Sequence, residues 1–265
     1  MQAPMNKLLV YLLALFLSVS PVRADLENRL APTVTWPNII MYGPFCAATD
    51  TDATTYNFTA AGLGAITLTG IDDADGVAIF VGFFGEDGAT NWSFSSATAD
   101  GVALVEQNDT ANSGSLVQAG IYRIVGVFPN SNNKILNAAS LDITVTASEA
   151  VTGMATCVWA MKYADQIGNI TGSPTGFVTD SSLLTMQVTL NLKANANGIM
   201  IICGTESAAQ TNTFGLATER VDTATAEFSY SAASEIFTTN QTQPLDFTCD
   251  YSGTGDAAGA TTGTR

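Results

Sequence analysis

The sequence predicts an all-β protein, folded as a two-sheet, jelly-roll-like β-sandwich. Short runs rich in Val, Ile, Thr and aromatic residues recur along the chain, separated by clusters of Gly, Asn, Asp and Ser. No long stretch shows apolar residues at the i, i+3, i+4 and i+7 spacing of an amphipathic helix. Strands at this spacing, with turn signals between them, indicate a sandwich or a barrel.

Alternation of apolar and polar residues assigns faces to several predicted strands. Residues 141–146 alternate strictly, and residues 245–251 repeat the pattern, which places Cys249 on the inward face. Residues 77–84 are apolar throughout, so this strand is expected to be central or covered on both faces. The clearest predicted strands, in chain order, are 76–85, 101–106, 116–128, 141–147, 155–164, 181–192, 198–206, 214–221, 224–230 and 245–251.

The two halves of the chain resemble each other, which indicates an internal duplication. Residues 74–80 match 196–202, and two further segment pairs keep the same order along the chain. The alternative is that any two strand-turn-strand runs look alike. We expect duplicated halves to interleave in one sandwich, since each half alone has about five predicted strands and little to cover its apolar face.

The composition excludes several classes of function. The 265 residues include 24 Asp and Glu, 9 Lys and Arg and no histidine, for a formal charge of −15. Without histidine there is no Ser-His-Asp triad, no Cys-His pair and no histidine-ligated zinc. The acidic balance argues against a nucleic-acid partner, because few groups are present to neutralise phosphates. Hydrophobic residues make up 46%, enough for a packed core.

The N-terminal sequence predicts a secretory signal peptide at residues 1–24. Lys7 precedes an apolar run at 8–19 that is short for a bilayer span, and Pro21 and small residues follow. The alternatives are a retained membrane anchor or an apolar helix of the fold. A signal peptide that is cleaved on export predicts a secreted or cell-surface protein, with no stable membrane insertion of the mature chain.

Residues 25–40 are predicted to form an extended arm ahead of a single β-sandwich domain at 41–265. Pro32 and Pro37 flank the short apolar segment 33–36, which suits an edge or an extended contact. Such an arm can add a strand to a neighbouring copy, so self-assembly through the arm is one expected partnership.

Four cysteines in an exported chain allow three disulfide pairings, which remain open at this stage. The alternative is that they are small buried apolar residues. The disulfide candidates are Cys46, Cys157, Cys203 and Cys249.

Five segments in the middle of the chain form an ordered series. The series consists of an apolar strand, a Gly-containing turn and strand, a strand with a Tyr, an amphipathic strand and an aromatic strand ending near Asp-Gln. They lie at 77–81, 100–104, 121–123, 143–146 and 158–166, and a second apolar strand follows at 198–203. Over roughly residues 60–260 the chain thus resembles jelly-roll-like β-sandwich proteins of environmental phage virions and exported bacterial surface proteins. The resemblance implies a virion or surface component without enzymatic activity. The predicted signal peptide favours the secreted or cell-surface form, with the virion as the alternative.

The densest acidic cluster is a candidate calcium site. Asp72, Asp73 and Asp75 precede Gly76, and such spacing can supply several oxygen ligands in a turn. The pattern lacks the remainder of an EF-hand loop, and a solvated turn before a strand explains it as well. Apart from a Ca²⁺ ion here, no cofactor is expected.

Carbohydrate is the second ligand class considered. Trp92, which lies in a turn region and is the best candidate for exposure, and Tyr56 are the candidates for stacking on sugar rings, while packing in the core is favoured for both because large aromatic residues dominate cores. Glycoside hydrolysis needs two carboxylates in one cleft. Glu86 and Glu206 end matched strands and could converge on one edge; the other acids considered are Asp87, Glu106 and Asp109.

These features predict a non-enzymatic structural or binding protein, exported or surface-displayed, as a component of a virion or an extracellular assembly. The alternative is a carbohydrate-binding module or lectin, with calcium assistance and glycans as partners. A glycan hydrolase is the third hypothesis, and nothing in the sequence indicates the raised pKa that a catalytic acid needs.

Overall fold

The computed structural model describes residues 40–59, 78–88, 91–110, 116–124, 141–162, 176–178, 183–188, 197–208, 210–237, 245–253 and 255–264. Every regular element among these residues is a β-strand, so the all-β prediction is confirmed. The described part of the chain contains no helix that could cross a bilayer. The signal peptide at 1–24 and the arm up to residue 39 lie outside the described residues, and Ile40 already belongs to the first strand.

The first eight strands form a jelly roll. They are β1 (Ile40–Thr49), β2 (Ala53–Phe58), β3 (Ala78–Glu86), β4 (Phe94–Ala99), β5 (Val102–Asp109), β6 (Val117–Ile124), β7 (Ile143–Val151) and β8 (Gly153–Lys162). β1 pairs with β8, β2 with β7, β3 with β6 and β4 with β5, as in a long antiparallel ribbon. The ribbon is rolled up by the further pairs β3–β8 and β4–β7. Eight strands in two sheets are the jelly-roll arrangement, as predicted.

The last eight strands repeat this connectivity. They are β9 (Gly176–Val178), β10 (Leu183–Val188), β11 (Asn197–Thr205), β12 (Asn212–Gly215), β13 (Thr218–Ala224), β14 (Ser229–Phe237), β15 (Leu245–Tyr251) and β16 (Ala257–Thr264). β9 pairs with β16, β10 with β15 and β11 with β14, while β12 contacts β13. The rolling pairs are β11–β16 and β12–β15. Apart from β12 and β13, which contact each other without pairing, the two halves share the same strand pairs, as an internal duplication predicts.

The strands make four layers. Sheet A (β1-β8-β3-β6-β5) curls through β5 into sheet B (β4-β7-β2), and the second jelly roll is built from sheet C (β13-β14-β11-β16-β9) and sheet D (β10-β15-β12). One apolar core lies between A and B, and another between C and D. A third core, here called the seam, joins the outer faces of sheets A and C.

The expectation that the halves interleave in one sandwich is wrong. Within the described residues each half contains eight strands, more than the sequence pattern revealed, and builds both of its own sheets. The seam exists because β3 is buried on both faces: Ile79 and Val81 point toward sheet B, and Phe80 and Phe84 toward sheet C. For residues 78–84, which the structure describes, this confirms that the apolar run predicted at 77–84 is covered on both sides.

Some strand predictions were wrong. The predicted strand 214–221 is two strands, separated at Leu216 by a positive φ of 65°. The predicted strand 224–230 contains the turn between β13 and β14, because β14 begins only at Ser229. β16 was missed because Ala257–Thr264 consists of Ala, Gly and Thr without an apolar pattern.

Candidate functional site

Acidic side chains from both jelly rolls meet at one end of the seam. Glu86 ends β3 and is only 6% exposed, with the hydroxyl of Thr152 donating to its carboxylate at 2.5 Å. Burial raises the pKa of Glu86, the hydrogen bond from Thr152 lowers it, and the negative charges of Asp87, Glu227 and Glu206 raise it further. The charge of Glu206, which directly follows the matched strand β11, has the smallest effect of the three.

The turn after β1 reaches across to the second jelly roll at the same end of the seam. The backbone amide of Ala226 donates to Oδ2 of Asp50 at 2.9 Å, next to Glu227. Sequence reasoning did not associate Asp50 and Glu227 with Glu86, because residues so distant in sequence are brought together only by packing of the two jelly rolls. Within the described ranges, no three His, Cys, Asp or Glu residues are placed to hold a metal ion.

A second pair of carboxylates lies on β5. Glu106 is opposite Tyr122 on β6 and Asp109 is opposite Gly120, so these residues share one face of sheet A. Burial raises the pKa of both carboxyl groups, and the charge of Asp109 raises that of Glu106 further. Burial, followed by the charges of Glu106 and Asp109, raises the pKa of the Tyr122 hydroxyl. The glycan-hydrolase hypothesis remains a prediction that this geometry does not test.

The aromatic carbohydrate candidates are both buried. Trp92 is 2% exposed, packs edge to face on Phe94 with ring centroids 5.0 Å apart, and donates from Nε1 to the carbonyl of Leu116 at 3.1 Å. Of the two alternatives for Trp92, packing in the core is the one that the structure shows, because its indole fills the space above Gly85 between sheets A and B.

Tyr56 is likewise unable to offer its ring to a sugar in this structure. It is 3% exposed, and its hydroxyl donates to the carbonyls of Thr51 and Val151. Burial is the main cause that raises the pKa of Tyr56 to about 12. Carbohydrate binding by Trp92 and Tyr56 stays a prediction without structural support.

The candidate calcium ligands Asp72, Asp73 and Asp75 lie outside the described residues, so the calcium prediction stays open.

The cysteines divide into two pairs. Cys46 on β1 and Cys157 on β8 form a disulfide between directly paired strands. Cys203 and Cys249 are not bonded to each other in this structure, and both are buried.

Comparisons with known proteins do not assign the chain to a family. No family model and no curated protein matches it. Among solved structures, the X-ray structure of Melon necrotic spot virus has 9% identity over 85% of this chain and 97% of that chain, with a TM-score of 0.19. Red Clover Necrotic Mosaic Virus has 9% identity over 85% of this chain and 96% of that chain, with a TM-score of 0.17. The CBM22 tandem domain of Paenibacillus barcinonensis Xyn10C has 11% identity, 85% coverage of each chain and a TM-score of 0.20. At these scores none of the likenesses carries an argument about this chain.

Proposed function

We propose that the chain is a non-enzymatic structural protein, exported or surface-displayed, that forms part of an extracellular or virion assembly. The observation that carries this proposal is the seam. It joins two jelly rolls into one four-layered block through side chains that are almost fully buried, such as Phe80, Trp159 and Phe228. A rigid block with strands at its edges suits a building unit whose work is contact with neighbours.

The position of β1 supports the predicted assembly route. β1 is an edge strand of sheet A, paired on one side with β8, and its first residue, Ile40, is 43% exposed. The arm precedes Ile40 directly in sequence. An arm joined to an edge strand is well placed to pair with an edge strand of a second copy, which is strand addition between neighbours.

Deletion of residues 25–37 from the mature chain tests the proposal. Light scattering on the mature protein is expected to report large assemblies, and the deletion variant is expected to remain a monomer. The control is a variant whose arm has the same residues in shuffled order, which keeps length and charge. A mature chain that stays monomeric, or a deletion variant that assembles like the full chain, contradicts the proposal.

The carbohydrate-binding alternative is not proposed alongside it. The aromatic rings that would stack on a sugar are packed in the core between sheets A and B. The indole N–H of Trp92 and the hydroxyl of Tyr56 each donate a hydrogen bond to a backbone carbonyl.

A further inference from the structure

The second jelly roll holds two thiols face to face between its sheets. Cys203 lies on β11 in sheet C, and Cys249 lies on β15 in sheet D. Both side chains are fully buried in the core between these sheets. Their Sγ atoms are 2.7 Å apart. Because the cysteines come from facing sheets and not from paired strands, a bond between them would connect the two layers.

The sulfur separation is too short for two thiols that only touch. Carbon atoms in van der Waals contact settle about 3.5–4.0 Å apart and sulfur is larger than carbon, whereas bonded disulfide sulfurs are about 2.05 Å apart. The Cys203 and Cys249 sulfurs lie well inside non-bonded contact, so only a small movement separates them from a covalent bond.

The first jelly roll supplies an internal comparison. The alternating pattern of β15 repeats that of β7, which places Val145 where the second jelly roll has Cys249. Val145 is fully buried in the core between sheets A and B, as Cys249 is between C and D. The first jelly roll therefore fills this position with an apolar side chain, and the second places there a residue that can form a cross-link.

The disulfide between Cys46 and Cys157 excludes the other disulfide pairings of the four cysteines. Cys46 and Cys157 are bonded to each other in sheet A, so of the three pairings of four cysteines only one leaves that bond intact.

We propose that Cys203 and Cys249 form a second disulfide in the mature protein, and that this bond ties sheet C to sheet D. The two thiols release two protons and two electrons as the S–S bond forms. The electrons and protons pass to the disulfide of a thiol–disulfide oxidoreductase of the export compartment, which becomes a dithiol. The bond closes a loop between residues 46 positions apart and so restricts the unfolded chain.

Burial of the thiols determines whether oxidation precedes or follows the packing of sheets C and D. The thiolate is the form that exchanges with a disulfide, and burial raises the pKa of the Cys203 thiol, which suppresses thiolate formation in the folded core. Oxidation therefore takes place before sheets C and D close over the sulfurs. Once formed, the bond is shielded from external reductants.

The test is a thiol count on the exported, mature wild-type protein. The protein is denatured in guanidinium without reductant and in the presence of excess iodoacetamide, and its intact mass is measured. No alkylated cysteine is expected, with a mass lower than the fully reduced chain by about 2 Da per disulfide. Digestion without reduction is expected to yield a linked peptide pair containing Cys203 and Cys249.

Two variants separate this bond from the first one. The double variant Cys46→Ala, Cys157→Ala is expected to show no alkylation, and the single variant Cys203→Ala is expected to show one alkylated residue, Cys249. Two alkylated cysteines at 203 and 249 in the wild-type protein overturn the proposal, as does a peptide linking either of them to Cys46 or Cys157. The wild-type measurement decides the matter even where a variant fails to fold.

Discussion

Gly204 on β11 lies directly against the ring of Phe84 on β3, so that a Cβ at residue 204 would stand 2.7 Å from two ring carbons of Phe84. The same Cβ would also lie 2.7 Å from the backbone carbonyl oxygen of Ser229. The contact crosses the seam, and it shows how closely sheet C approaches sheet A. The absence of a side chain at 204 is a condition for joining the two jelly rolls.

Gly204→Ala is therefore expected to lower the free energy of unfolding by about 1–3 kcal/mol, the cost of overpacking a well-filled core. Phe84 is surrounded by the seam, and the Ser229 carbonyl is held in the β11–β14 pair, so neither neighbour can retreat. Guanidinium unfolding measures the effect. The control is Gly88→Ala, whose new Cβ would meet only the Glu86 carboxylate at 3.6 Å. Equal stabilities for the two variants would show that the seam is loosely packed.

Adjacent threonines on β16 provide a matched pair for hydrogen bonding. Oγ1 of Thr262 is buried without a hydrogen-bond partner, whereas Oγ1 of Thr261 donates to the carbonyl of Met200 at 3.1 Å. Thr262→Val is expected to stabilise the protein by about 1 kcal/mol, because an unbonded buried hydroxyl is replaced by a methyl group of the same shape. Thr261→Val is expected to destabilise it by about 1 kcal/mol, through loss of a hydrogen bond. Thermal unfolding compares the two, and effects of the same sign contradict this assignment.

Glu86 is expected to make stability depend on pH in a defined direction. Its pKa is raised in the folded state, chiefly by burial, so the folded protein holds a proton more tightly than the unfolded chain. The resulting stabilisation is complete below the unfolded pKa of 4.5 and is lost as the pH rises through the folded pKa. At neutral pH the buried charge is therefore a net cost.

Glu86→Gln removes that charge and keeps an oxygen to accept from Thr152. The Tm of this variant is expected to exceed that of the wild type at about pH 7 and to converge with it near pH 4, where Glu86 is neutral. Circular dichroism melts across this range measure the difference. Glu149→Gln, at an exposed position on β7, changes the net charge equally and serves as the control. A Tm advantage for Glu86→Gln that persists unchanged at pH 4 would rule out this explanation.

The turn between β12 and β13 contains a strained residue. Leu216 has a φ of 65° and is 63% exposed, whereas the corresponding turn of the first jelly roll uses Asp100 and Gly101 at positive φ. A left-handed conformation costs an ordinary L-residue about 1–2 kcal/mol, and Asn tolerates it better.

Leu216→Asn is expected to raise the free energy of unfolding by about 0.5–1 kcal/mol. Leu216→Val is expected to lower it, since a β-branched side chain is poorly tolerated at positive φ. Urea unfolding of both variants measures the difference. Destabilisation by Leu216→Asn would mean that the leucine side chain makes a stabilising contact that outweighs the backbone strain.

Local pattern predicted the parts of the fold that depend on one strand and its two faces. Ile143 and Val145 alternate with threonines, and both are fully buried in the core between sheets A and B. Cys249 points inward, as the alternation in 245–251 predicted. These predictions hold because the two-residue period of a strand places alternate side chains on opposite faces, whatever the rest of the chain does.

Local pattern was insufficient where burial comes from a distant segment. Trp92 stands in a turn region, yet its indole packs in the core between sheets A and B, in the same cluster as Val145 and Met154 from far along the chain. β16 consists of small residues with no apolar signal, and it is buried because sheets A and D cover it from both sides. Glu86 interacts with Glu227 only because two jelly rolls are joined.

The sequence by itself determined the strand-rich composition, the inward faces of individual strands, the acidic charge and the repeated order of the two halves. Each of these depends on composition or on neighbours within a few residues along the chain. Only the tertiary structure decided that each half closes into its own jelly roll, that the jelly rolls stack through the seam, and which cysteines face each other. These outcomes depend on contacts between residues far apart in sequence, and their energies belong to pairs of surfaces and not to any one segment.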